Sequence, residues 1–200
     1  MTKFQETIVA LTAIRNSLER AMLCLYSVNG SNLSDKPDRT KDQYLLFTLQ
    51  NHLQILLCSF LKEWNKFGGF AKTDESVKET LRIVSPSTNR FKQWPGLNKI
   101  RSCLLAHSPR DTSGEIVFPW VAFRKEKCPT TLEETLLLTF CALMAVDNVK
   151  ARYKAEQDKA EKEILDMNRA IATQGIPNTA ELEKQFADIQ RQINENKKRA

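Results

Sequence analysis

The stretch Lys99-Ile100-Arg101-Ser102-Cys103-Leu104-Leu105-Ala106-His107-Ser108-Pro109-Arg110-Asp111 holds one of only two histidines in the chain. It closes an apolar helical run. A guanidinium stays charged at physiological pH, whereas an imidazole gives and takes a proton near neutrality. Together at one helix end, Arg101 and His107 have the chemistry to hold a phosphate and to move protons on it. On a regular helix they lie about 240° apart around the axis and about 9 Å apart along it. They do not share a face. The spacing therefore predicts a site completed by a second surface, most simply the same helix of another copy across a two-fold axis. Each residue also has a plainer role: His107 bonded to helix-terminal carbonyls, Arg101 paired with a carboxylate at the core edge.

The elements that would hold this stretch are helices. Phe4, Ile8, Leu11, Leu18, Met22 and Leu25 form one apolar stripe, which predicts a first helix from about Lys3 to Val28. Asn29-Gly30-Ser31-Asn32 stops it, and a polar loop follows through Arg39. A second helix is expected from near Asp42 to Phe67, ending at Gly68-Gly69. Its leucines, with Phe60 and Trp64, cover most of its girth and make it central. His52, among Leu49, Leu53 and Leu56, reads as structural. Ser76-Val77-Lys78-Glu79 has the capping-box pattern and predicts a short helix through Val84. Pro86 and Pro95 each suit the first turn of a further helix. The second of these carries Leu97, Ile100 and Leu104 inwards and finishes near His107, because Pro109 forbids much continuation.

Gly114 to Lys127 has a different texture, a β-prone run split by Pro119, and reads as an extended crossover packed on the bundle. Thr130 and Thr131, each followed three residues later by a glutamate, start a long helix whose portion from Leu132 to Val149 is core. Beyond it Tyr153, Gln157, Ala160, Ile164, Met167 and Ile171 alternate four and three apart, the seam of a coiled coil. Gly175-Ile176-Pro177 makes a turn, and Leu182, Phe186, Ile189 and Ile193 continue the spacing. The expectation is an all-α protein: a helical bundle over residues 1–150 with a long C-terminal helix, and a coiled-coil-like helical hairpin over 151–200. The hairpin offers a surface for a protein partner.

The formal charge of +6 over 200 residues favours an acidic partner such as nucleic acid. Arg90, Lys92, Lys99 and Arg110 flank the Arg101/His107 stretch and could attract phosphates; a solvated basic face has the same composition. Five cysteines without CxxC spacing read as reduced, buried thiols of a cytoplasmic protein. No metal-ligand spacing is present, so neither metal nor cofactor is expected. Polar residues interrupt the most apolar segments, Tyr44–Phe60 and Leu132–Val149, so both read as buried helices rather than membrane spans.

Arg101-Ser102, five residues between the arginine and His107, and a late position in a helical chain resemble the HEPN family (higher eukaryotes and prokaryotes nucleotide-binding). Lys-Ile-Arg-Ser-Cys-Leu-Leu-Ala-His reads much like the Ile-Arg-Asn-x-x-x-Ala-His of its abortive-infection relatives. Phe60-Leu61-Lys62-Glu63-Trp64 on a preceding helix also fits. The resemblance covers residues 1–150; the 114–127 crossover and the C-terminal hairpin depart from it. It implies a HEPN-like bundle that works as a homodimer, a metal-independent endoribonuclease in a defence or toxin–antitoxin setting. It further implies that His107 is the general acid or base, that Arg101 stabilises charge on the phosphate, and that Ser102 orients one of them. The alternative is a non-catalytic helical dimerisation, interaction or nucleotide-binding module.

Overall fold

The computed structural model describes residues 1–31, 39–98 and 127–171, together with 184, 187, 188 and 191. The protein is all-α. Among the described residues there is no strand, and six α-helices follow in order. These are α1 (Lys3–Ser31), α2 (Arg39–Gly69), α3 (Glu75–Ile83), α4 (Ser85–Asn89), α5 (Leu132–Arg152) and α6 (Lys154–Ile171), with 3₁₀ turns at Phe70–Lys72 and Arg90–Gln93. The chain divides into two compact units, Met1–Glu161 and Lys162–Ala200. The first runs past residue 150 because Tyr153, Gln157 and Ala160 are buried. In the second, Arg191 donates to Asp188 at 3.1 Å.

Local chemistry explains most helix ends. Thr2 and Gln5 start α1 with a reciprocal capping box: the Gln5 side chain accepts from the Thr2 N–H at 2.8 Å, and Thr2 Oγ1 accepts from the Gln5 N–H at 3.2 Å. Helix α1 passes Asn29 and Gly30 and ends at Ser31, inside the expected stop at 29–32. A glycine lowers helix propensity by only about 1 kcal/mol and need not end a helix. The start of α3 differs from expectation. Its cap is Asp74, not Ser76; the Asp74 carboxylate accepts from the N–H groups of Ser76 (2.8 Å) and Val77 (3.3 Å). An aspartate two residues earlier is as good a cap and carries a charge that suits the helix N-terminus. Pro86 lies in the first turn of α4, where its missing N–H costs nothing. Thr131 caps α5, its hydroxyl accepting from the Glu134 N–H at 3.2 Å. The helix run expected after Thr131 breaks at Tyr153, whose φ of −114° and ψ of 34° separate α5 from α6.

The core of the first unit lies between α1, α2 and α5. Ile8, Leu11, Leu18 and Leu25 from α1, Leu53, Leu57, Phe60 and Phe67 from α2, and Leu138, Ala142, Val146 and Val149 from α5 are wholly buried. Aromatic contacts fix the directions. Phe4, near the start of α1, meets Phe67 near the end of α2 (ring centroids 6.1 Å) and Tyr153 after α5 (5.2 Å). Thus α1 runs antiparallel to both of the others. Arg15 on α1 reaches Asp147 on α5 at 2.9 Å and also pairs with Glu19, which raises its pKa chiefly through the Asp147 bond. Tyr44–Lys72 is long and apolar enough to cross a membrane by length and composition alone. In this fold its apolar stripe packs on α1 and α5.

Candidate functional site

Lys99, Arg101, Ser102, His107 and Arg110 lie outside the described residues, as do most of the Gly114–Lys127 crossover and the turn and second arm of the hairpin. The described structure shows how the chain enters and leaves that stretch. On one side, the Cys58 thiol is 3.8 Å from the carbonyl oxygen of Asn98, to which it donates. On the other, Gln54 Nε2 donates to the Pro129 carbonyl at 2.8 Å and lies 3.4 Å from Thr135 Oγ1. Gln54 and Cys58 are four residues apart on α2, about 6 Å along its axis. Asn98 and Pro129 are therefore both fastened to adjacent turns of the central helix.

The Gln54 bond is buried; the Cys58 contact, from a weaker thiol donor, is partly buried. Gln54 is 1% exposed, and its Oε1 has no partner among the described residues. A buried amide without full pairing is costly, and the Nε2 bond to the Pro129 carbonyl offsets part of that cost. Lys127, just before Cys128 and Pro129, has φ of 55°, a left-handed conformation that a lysine adopts at a cost.

Upstream of Asn98, the 3₁₀ turn Arg90–Gln93 is clamped to the start of α5. Arg90 Nε donates to Glu134 Oε1 at 2.9 Å and Arg90 Nη2 to Oε2 at 2.6 Å. Trp94 Nε1 donates to the same Oε1 at 2.7 Å. Phe91, between them, is buried and tilts against Phe60 at 5.3 Å. One carboxylate thus accepts three hydrogen bonds, two of them in the forked geometry that suits arginine. The Arg90 bonds hold the Glu134 carboxyl below the ordinary glutamate pKa, aided by Trp94 and opposed by partial burial. Glu134 in turn raises the Arg90 pKa.

The two described members of the basic group therefore differ. Arg90 is engaged with Glu134, whereas Lys92 on the same turn is exposed and has no partner among the described residues. Sequence reasoning reached Glu134 only as a capping glutamate; its side chain serves Arg90 and Trp94 instead. The indole of Trp94, an N–H donor that must find an acceptor when buried, was the available signal. His52 is exposed, not packed among the leucines that precede and follow it. Its position falls off the stripe made by Leu49, Leu53, Leu57 and Phe60. Of the four described cysteines, Cys58, Cys128 and Cys141 are buried and Cys24 is exposed, all without disulfides. Burial pushes the Cys141 thiol pKa up, which keeps it protonated and unreactive.

Neither a family model, nor a curated protein, nor a solved structure matches this chain.

Proposed function

We propose that the protein is a cytoplasmic, metal-independent endoribonuclease of the HEPN type, working as a homodimer. The observation that carries this reading is the Arg101-Ser102-x₄-His107 pattern in a basic, all-α chain. His107 takes the proton from a ribose 2′-OH or returns one to the departing 5′-oxygen. The attacking 2′-oxygen forms a bond to phosphorus as the bond to the 5′-oxygen breaks. The products are a 2′,3′-cyclic phosphate and a 5′-hydroxyl. Arg101 stabilises the negative charge that builds on the phosphoryl oxygens, and Ser102 orients one of the two side chains. DNA, without the 2′-OH, is not a substrate. Lys92, Lys99 and Arg110 supply a positive approach to the strand; Arg90 contributes there only with the charge left by its pairing to Glu134. The fastening of Asn98 and Pro129 to α2 supports the reading, since a catalytic stretch must be carried on a rigid core.

The test is RNA cleavage by the purified protein in EDTA. Wild type is expected to cleave and to leave cyclic phosphate ends. His107→Ala and Arg101→Ala are expected to lose at least a hundredfold in rate with an unchanged circular-dichroism spectrum. Absence of cleavage by wild type, or equal cleavage by all three, overturns the proposal. The second reading, a non-catalytic interaction module, is favoured by the exposed apolar face of α5 described next.

A further inference from the structure

Between Thr135 and Val146, helix α5 is apolar almost all the way round, yet only one side of it is covered. Leu138, Ala142, Val146 and Val149 face the core. On the other side Leu137 (44% exposed), Phe140 (42%) and Met144 (53%) form a ridge at helical spacing. Ile83, at the end of α3, is likewise half exposed (49%). Beside the ridge lies a groove of about 400 Å³ lined by Ile83, Val84, Pro86, Cys141, Met144 and Asn148. A helix that is hydrophobic on every face is normally buried on every face.

We infer that this face is a homodimer surface, with α5 packing antiparallel on α5 of a second copy. Three observations select that occupant. First, ridge and groove lie side by side on the same surface, so a two-fold axis beside Phe140 sets the ridge of each copy against the groove of the other. Leu137 then lies opposite the partner subunit's Met144. Second, the first turn of α5 carries Glu133 and the last carries Lys150, Arg152 beside it being already paired with Glu79. The antiparallel arrangement brings the acidic end of one copy to the basic end of the other and opposes the helix dipoles; a parallel one would set like charges together. Third, the four side chains offer on the order of 350 Å² of apolar surface per copy. A standard interface buries about 800 Å² per partner, somewhat over half of it apolar, so this patch is of the right size for its centre.

The ribonuclease reading also calls for a second copy, but this face rests on α5 and the α3–α4 junction and is read by association, not by cleavage. The test is sedimentation equilibrium of the full chain at micromolar concentrations. Wild type is expected to dimerise. Phe140→Glu, which sets two carboxylates beside the axis, is expected to weaken association at least a hundredfold. Met144→Glu, at the more exposed position, gives the same direction and serves if Phe140→Glu misfolds. In mixtures, a copy carrying Leu137→Cys is expected to cross-link to one carrying Met144→Cys faster than to itself. A monomeric wild type, or a dimer unmoved by Met144→Glu, overturns the inference. So does a monomer whose melting temperature falls in these variants, which would show that the ridge is covered within one chain. Loss of RNA cleavage in His107→Ala with an intact dimer leaves this surface standing and separates the two proposals.

Discussion

Replacing Glu134 tests whether one carboxylate joins the Arg90–Trp94 turn to the start of α5. Glu134→Ala leaves the half-buried indole N–H of Trp94 without its acceptor at 2.7 Å. Breaking a charge-assisted hydrogen bond of this kind costs about 1.5–3 kcal/mol. The Glu134 side chain is 15% exposed and that of Arg90 35%. The freed guanidinium returns to water, and its pairing adds little to the loss. The expected destabilisation is about 2 kcal/mol, a fall of roughly 4–8 °C in melting temperature for a chain of this size. Glu134→Gln keeps an oxygen in place for Trp94 and is expected to cost less than half as much. The glutamate pKa is lowered in the folded state, chiefly by the Arg90 hydrogen bonds. Its contribution is therefore complete above the unfolded glutamate pKa and is lost as pH falls through the lower folded value. Urea unfolding of wild type and both variants at neutral pH, then at successively lower pH, reads every part of this. Wild type and Glu134→Gln should converge as the medium is acidified. An alanine variant as stable as wild type, or a glutamine variant as damaged as the alanine one, refutes the assignment of the clamp to this carboxylate.

Two further outcomes follow from the core and the caps. Phe60→Ala empties a wholly buried position that stacks on Trp64 at 5.5 Å and tilts against Phe91 at 5.3 Å; a loss of about 3–5 kcal/mol by chemical denaturation is expected, and a loss under about 1 kcal/mol would contradict this packing. Asp74→Ala removes the acceptor for two N–H groups at the start of α3 and should cost about 1 kcal/mol, whereas Ser76→Ala should leave the cap intact.

The helices were legible because their signals are local. Stripes such as Ile8, Leu11 and Leu18 in α1, or Leu53, Leu57 and Phe60 in α2, are read at fixed spacing, and each of these residues is buried. Competition between neighbouring signals was less legible. Asp74 and Ser76 both suit a cap, and the choice depends on where the preceding 3₁₀ turn delivers the chain. The break at Tyr153 shows the same limit. Spacing carries the apolar pattern straight across it, while the ring is held by Phe4 and Phe67 and its hydroxyl donates to Ser76 Oγ at 3.1 Å. Contacts with residues 77 or more positions away hold the side chain at the break, and no window around Tyr153 contains them.

The same distinction governs the site. Arg101 and His107 are recognisable by type and spacing, which are properties of a short segment. What would make them act together is a shared surface, and that depends on groups remote in sequence. Gln54 and Cys58, read only as members of an apolar helix, turn out to fasten the two flanks of that segment at Pro129 and Asn98. Glu134, read only as part of a cap, fixes the turn that leads into it. Arg90 illustrates the consequence. As a basic residue near the motif it belonged with Lys92 in a phosphate-attracting group; a carboxylate 44 positions away has already taken up its fork. Positive charge near a motif is therefore a weaker guide to the path of a nucleic acid than positive charge with no carboxylate in reach. By that criterion Lys92, exposed on the same turn, is the better place to look for phosphate contact.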